Sequence, residues 1–140
     1  MDLKQQAFEM YRNGETIKSI SEQLDVKEST LYTWKSRFFD DMEAEANYNE
    51  LYNEILSKLA ERGLAKDKVY LNMANNFMEL ENVKNMLIAD IKTRGVTVEG
   101  ATALKKNDSI SELNKTVTSM VSLIKFMKID IEIESEIADL

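Results

Sequence analysis

The chain has 140 residues, 44% of them hydrophobic, with four glycines, no proline, no cysteine and no histidine, and its net charge is −7. That length holds one ordinary domain, or a minimal domain with an extended helical element, and the lack of thiols and imidazoles excludes a zinc finger, a disulfide framework and Cys- or His-dependent nucleophilic catalysis. The acidic balance excludes indiscriminate coating of nucleic acid, which rests on surplus lysine and arginine, and no apolar run approaches the roughly 20 residues of a membrane span.

Leu, Ile, Met, Glu, Lys and Asn dominate, and with so few helix breakers the chain is predicted to be all-α. The N-terminal MDLKQQAFEM reads as charged amphipathic helix rather than a signal peptide, so a soluble protein of a reducing cytoplasm is expected. Leu3, Ala7, Met10 and Tyr11 recur at helical spacing until Asn13-Gly14, residues that accept the left-handed conformation, close the first helix. Thr16 is placed to cap a second helix with the apolar face Ile17, Ile20 and Leu24. The turn Asp25-Val26-Lys27 follows, and a third helix runs from about Glu28 to Phe39, burying Leu31, Trp34 and Phe38.

Small Ser21, a short step to Asp25, buried Val26, and Leu31 and Trp34 facing back toward Ile20 meet the packing needs of a helix-turn-helix. Residues 1–40 therefore read as a DNA-binding domain. Its third helix would present Ser29, Thr30, Thr33, Ser36 and Arg37, with Tyr32 and Lys35 on the flanks and Lys27 just before it. Hydroxyls and arginine suit base edges or phosphates, and Lys18 with the start of the second helix suits backbone contacts. A three-helix core with a polar face and no nucleic-acid role is the plainer reading of the same pattern.

Residues 41–64 read as an acidic helical connector, with Tyr48, Leu51, Tyr52, Ile55, Leu56 and Leu59 as a weak apolar stripe ending at Arg62-Gly63. The carboxylate pairs Asp40/Asp41 and Glu43/Glu45 read as a solvated helix face rather than a metal site, and no cofactor is expected. Residues 65–129 read as a long antiparallel helical hairpin for oligomerisation. One helix, about Lys66 to Arg94, carries Met73, Phe77, Leu80, Leu87 and Ile91 at steps of four and three, interrupted by Lys84. After Gly95 and a weakly ordered TVEGATALKKND, Ser109 and Glu112 form a capping box. The second helix then repeats the seam with Ile110, Leu113, Val117, Met120, Ile124, Met127 and Ile131.

Val69, Val83, Ile88, Val121, Leu123 and Phe126 add more apolar surface than a lone hairpin hides, so neighbouring subunits or the connector helix must cover it. Toward the acidic tail, residues 130–140, Ile129, Ile131 and Ile133 alternate with Asp130, Glu132 and Glu134 as in a strand, while Met127 to Ile131 also continues the helix; the favoured reading is helix to about Ile129 and then an acidic segment that extends as a short C-terminal strand pairing between subunits.

Two segments resemble a known family. YRNGETIKSISEQLDVKESTLYTWKSRF is similar to the N-terminal helix-turn-helix of phage terminase small subunits, with a Tyr and Gly ahead of helix two and a Thr followed by Trp-Lys in helix three. IKTRGVTVEGATALKKNDSISELNKTVTSMVSLIKFMKID resembles the P27-type small subunit, in which a helix ends at Gly and a loop leads to an Asn that opens the last helix. The resemblance implies a ring-shaped homo-oligomer in the host cytoplasm that recognises viral double-stranded DNA at the packaging-initiation site and passes it to the large terminase subunit. The ATPase and nuclease would belong to that partner, and the chain itself, which lacks a Gly-rich phosphate loop with Lys-Ser/Thr, would not be an enzyme. On this reading helix three contacts DNA, the hairpin builds the ring, and the acidic C-terminus meets the motor. A transcriptional or transposition regulator binding DNA as a dimer, and a coiled-coil adaptor without a DNA role, are the competing readings.

Overall fold

The structure, a computed structural model, describes residues 1–100 and 103–134. It is predominantly helical and divides into two units, Met1–Glu50 and Leu51–Leu140. The first unit thus extends past the boundary expected at residue 40.

In the first unit, Asp2 caps α1 (Leu3–Arg12) by accepting from the Gln5 N–H at 2.7 Å, and Thr16 caps α2 (Ile17–Leu24) by accepting from the Ser19 N–H at 3.1 Å. Helix α3 spans Glu28–Trp34. Ala7, Phe8, Ile17, Ile20, Leu31 and Phe39 form the core, with Met10, Tyr11, Leu24, Val26, Trp34, Met42 and Ala46 packed around it. Two expected core positions change. On α1 the buried aromatic is Phe8, while Leu3 is exposed.

The second change has a clear geometric cause. Lys35–Phe39 form one π-helical turn, which leads directly into α4 (Asp40–Glu61). Such a turn holds one extra residue, and each residue of an α-helix advances the face by about 100°, so everything downstream is rephased. Phe38, expected in the core, is turned outward, where the Lys4 ammonium lies 3.7 Å from its ring centroid. Phe39 takes the core place, with ring centroids 5.5 Å from Phe8 and 5.4 Å from Tyr11. Met42 and Ala46 then follow Phe39 at helical spacing onto the same core.

In the second unit, α4 buries Ile55 and Leu59 and stops at Gly63, which has φ 73°. Asp67 caps α5 (Lys68–Arg94). The segment expected to be weakly ordered contains a two-stranded antiparallel ribbon, β1 (Thr97–Glu99) and β2 (Leu104–Lys106), with Val98 opposite Lys105. Helix α6 (Asp108–Met127) is opened not by a Ser109/Glu112 box but by Asn107, whose side chain accepts from the Ser109 N–H at 3.0 Å. The Ser109 hydroxyl instead donates to Asp90 at 2.6 Å, and Arg94 grips the same carboxylate through two contacts of 2.6 and 2.8 Å. These donors, Arg94 foremost, hold the Asp90 carboxyl well below the usual carboxylate range. Fully buried Asn107 also donates to the Gly95 carbonyl at 3.0 Å, so one cluster pins both ends of the ribbon.

The expected hairpin is present, but its seam lies inside one chain: Phe77, Ile91, Leu113, Met120 and Met127 are buried there, together with Ala74, Met78 and Thr116. Met73, Leu80, Leu87, Ile110, Val117 and Ile124 are half-buried. Residues already enclosed by their own chain have no surface left for a neighbour, so those five are core rather than interface. Lys84, which interrupts the seam in the sequence, is 2% exposed and pairs with Glu81 at 2.9 Å.

No strand forms over 129–134, and residues 135–140 of the tail lie outside the described residues. The isoleucine alternation nevertheless has a structural meaning. Ile131 is buried and Ile129 and Ile133 half-buried, while Asp130, Glu132 and Glu134 are exposed. The segment turns its apolar side inward without pairing as a strand.

The rephasing at Lys35–Phe39 has a direct measure. Phe39→Ala should destabilise the first unit by about 3–5 kcal/mol, the range for an emptied aromatic site, and Phe38→Ala by a small fraction of that; equal losses in a chemical-denaturation series would contradict the π turn.

Candidate nucleic-acid interface

The turn between α2 and α3 is made by three devices. Asp25 takes the left-handed conformation (φ 54°, ψ 47°), which a short polar side chain tolerates better than most. The Val26 N–H reaches the Ser21 carbonyl at 3.3 Å, and the Ser21 hydroxyl donates to the Val26 carbonyl at 2.5 Å. Small Ser21 thus stitches the last turn of α2 to the start of α3. Leu31, fully buried, then holds α3 against Ile20 and Ala7 in the core.

The opposite face of α3 and the π turn is open. Lys27, Ser29, Tyr32, Thr33, Lys35, Ser36 and Arg37 are exposed, Thr30 is half-buried, and Lys18 is exposed on α2. All nine residues expected to form the interface therefore retain solvent access. Lys35, Ser36 and Arg37 stand on the π turn rather than on a regular helix, which the sequence pattern did not anticipate. The Thr33 hydroxyl donates to the Ser29 carbonyl at 3.0 Å and that of Ser36 to the Thr33 carbonyl at 3.2 Å. Their hydroxyl protons are thus turned to the helix backbone, which leaves oxygen lone pairs outward. Lys35 lies 5.1 Å above the Tyr11 ring, a cation–π contact that restrains one of the cations on this face.

Arg12, which the sequence reading passed over, anchors this arrangement. From the end of α1 it reaches Glu43 at 3.1 Å, Asn47 at 3.0 Å and Glu50 at 2.6 Å, three residues on one face of α4. Its hydrogen bond lowers the Glu50 carboxyl from its ordinary value, and Glu50 in turn raises Arg12. This contact is why the first unit includes the opening turns of α4. The signal was present as an acidic or amide residue at each of three helically spaced positions, but its partner lies more than thirty residues away and no local pattern links them.

A second surface lies between α5 and α6. Met73, Leu80 and Val83 face Leu123 and Phe126 across an open groove of about 680 Å³, rimmed by Asn76, Glu79, Ser119 and Ser122. Its walls are largely apolar and Phe126 is 61% exposed.

Residues 1–43 match the family model of a homeodomain-like domain. The first unit is a helix-turn-helix DNA-binding domain. Neither a curated protein nor a solved structure matches the chain significantly. Among the described residues no helix is long and apolar enough to cross a membrane, and no group of three or more carboxylates is arranged to hold a metal ion. In the DNA-binding domain Glu43, one of the carboxylates considered for such a site, is engaged by Arg12.

Because the folded Glu50 carboxyl is depressed, its stabilisation is present above the ordinary carboxylate value and lost as pH falls through the folded one. Arg12→Met should accordingly lower the melting temperature of the DNA-binding domain at neutral pH, with the gap to the parent closing as pH falls through the folded Glu50 value. A gap that is independent of pH would show that Arg12 acts through packing alone.

Proposed function

We propose that this chain is a DNA-recognition subunit without catalytic chemistry of its own, specifically the small subunit of a viral terminase. It binds double-stranded DNA at the packaging-initiation site as a ring homo-oligomer and recruits the large subunit, whose ATPase and nuclease act on that DNA. The observation that carries this reading is the pairing of a helix-turn-helix domain with a separate helical unit that leaves an apolar groove uncovered. Contiguous exposed apolar surface of this kind marks an association site. Two further exposed valines, Val69 and Val121, sit on the same two helices.

Charge supports assembly as well. Residues 1–40 carry six basic and seven acidic side chains, so one copy has little electrostatic attraction for phosphate. Several copies held together raise the effective concentration of each for a repeated or wrapped site and make a weak reader selective. In this reading Lys27 and Arg37 meet phosphates, with Lys18 and Lys35 beside them. Ser29, Thr30, Tyr32, Thr33 and Ser36 face the groove of the DNA, and Met73, Leu80 and Val83 with Leu123 and Phe126 join copies.

Absolute mass in solution, by light scattering after size exclusion without DNA, tests the assembly. A closed ring of many copies supports the packaging role; a dimer moves the reading to a transcriptional or transposition regulator built on the same domain.

Two sets of substitutions separate the surfaces. Lys27→Ala with Arg37→Ala should flatten the log–log salt dependence of DNA binding by about 2, close to one per phosphate contact removed, and leave the mass unchanged. Leu80→Glu or Phe126→Glu should reduce the mass while circular dichroism stays helical; an unchanged mass would remove the groove from the interface.

A further inference from the structure

Past Met127 the chain leaves the axis of α6 at a single residue. Lys128 takes the left-handed conformation (φ 55°, ψ 46°), and the segment 129–134 follows. Its first residue, Ile129, still donates its N–H to the Ile124 carbonyl at 3.4 Å, and beyond it the described residues join no helix or strand ladder. Instead the segment is held by side chains: Ile131 is buried, the Lys58 ammonium donates to the Asp130 carbonyl, and the Lys84 ammonium donates to the Glu134 carbonyl.

Lys84 makes the segment more than a trailing end. Its ammonium is 2% exposed, and such a charge is tolerated only when its protons find acceptors. Glu81 supplies one acceptor and the carbonyl of Glu134 another. Lys84 therefore depends on the segment for one of its acceptors, but none of these contacts requires that the segment belong to the same chain.

The hinge favours exchange. Asp25 and Lys128 are the non-glycine residues with positive φ among the described residues. Asp25 has the short polar side chain that suits this region, whereas Lys128 is strained there as an ordinary L-residue is. An arm that continues outward instead of folding back releases that strain, and a second copy offers the same partners, so that every contact is recovered.

We propose that residues 129–134 form an exchangeable arm: in the assembled protein the arm of one copy is held by Lys58 and Lys84 of a second copy, with Lys128 as the hinge. The proposal rests on the self-association argued above and adds a component that the α5–α6 groove does not contain.

The test uses the full chain with a photo-crosslinking residue at Ile133, assembled from equal amounts of isotopically light and heavy protein and analysed by mass spectrometry. Light–heavy products joining position 133 to α5 are expected in the parent. Lys128→Val keeps the N–H but disfavours the left-handed hinge further, and should raise the ratio of exchanged to closed arms. Lys128→Gly fits the hinge without strain, so it folds normally and should lower that ratio roughly five- to thirty-fold. Same-isotope products alone in all three proteins overturn the exchange. If the mass is then that of an assembly, self-association stands without the arm; if it is that of a monomer, both readings fall.

Discussion

A helix is useful to a core only if its apolar stripe stays in phase with it, and this chain changes phase deliberately at Lys35–Phe39. One extra residue in that turn moves the aromatic anchor from Phe38 to Phe39, and Phe39, set against Phe8 and Tyr11, ties the long helix to α1. Because α3 runs into this turn, the direction of the recognition face depends on the same contact. Without the rephasing, Met42 and Ala46 would also leave the core and the grip of Arg12 on α4 would have no frame. π turns are rare and concentrate at functional positions, and this one bears Lys35, Ser36 and Arg37.

Two polar groups that the helices bury are completed by something distant in sequence, Asn107 by Gly95 and Arg94 and Lys84 by the carbonyl of Glu134, and Arg12, which keeps solvent access, reaches as far to Glu43, Asn47 and Glu50. Such groups add specificity more than net stability, since an ion taken out of water must recover its lost hydration from well-placed partners. They account for features that apolar periodicity leaves open, namely the ribbon between α5 and α6, the extent of the first unit and the path of the C-terminal segment.

The functional picture joins a DNA-binding domain with near-neutral charge to a helical unit whose interior is complete but whose surface is not. The five seam residues enclosed by the hairpin show that an intact core and an unsatisfied exterior coexist in one chain: Phe77 and Met120 serve the first, Leu80 and Phe126 the second. In the assembly proposed above, self-association would offset weak single-site binding, because multivalency needs modest individual contacts to remain selective.

Local pattern alone determined a good deal of this protein. The caps at Thr16 and Gly95, the turn at Asp25, the small Ser21, the helix end at Gly63 and the existence of the hairpin were all legible, because each is set by a few adjacent residues and a 3.6-residue period. All nine candidate DNA-facing residues kept solvent access for the same reason, since outward positions follow once inward ones are assigned. Tertiary structure decided the rest: which of Phe38 and Phe39 is buried, that five of the presumed interface residues are core, that Lys84 is enclosed, and that the isoleucine alternation of the tail packs inward without forming a strand. The reason is common to all four. Periodicity states that a residue faces away from water, but only the position of the neighbouring elements states what it faces.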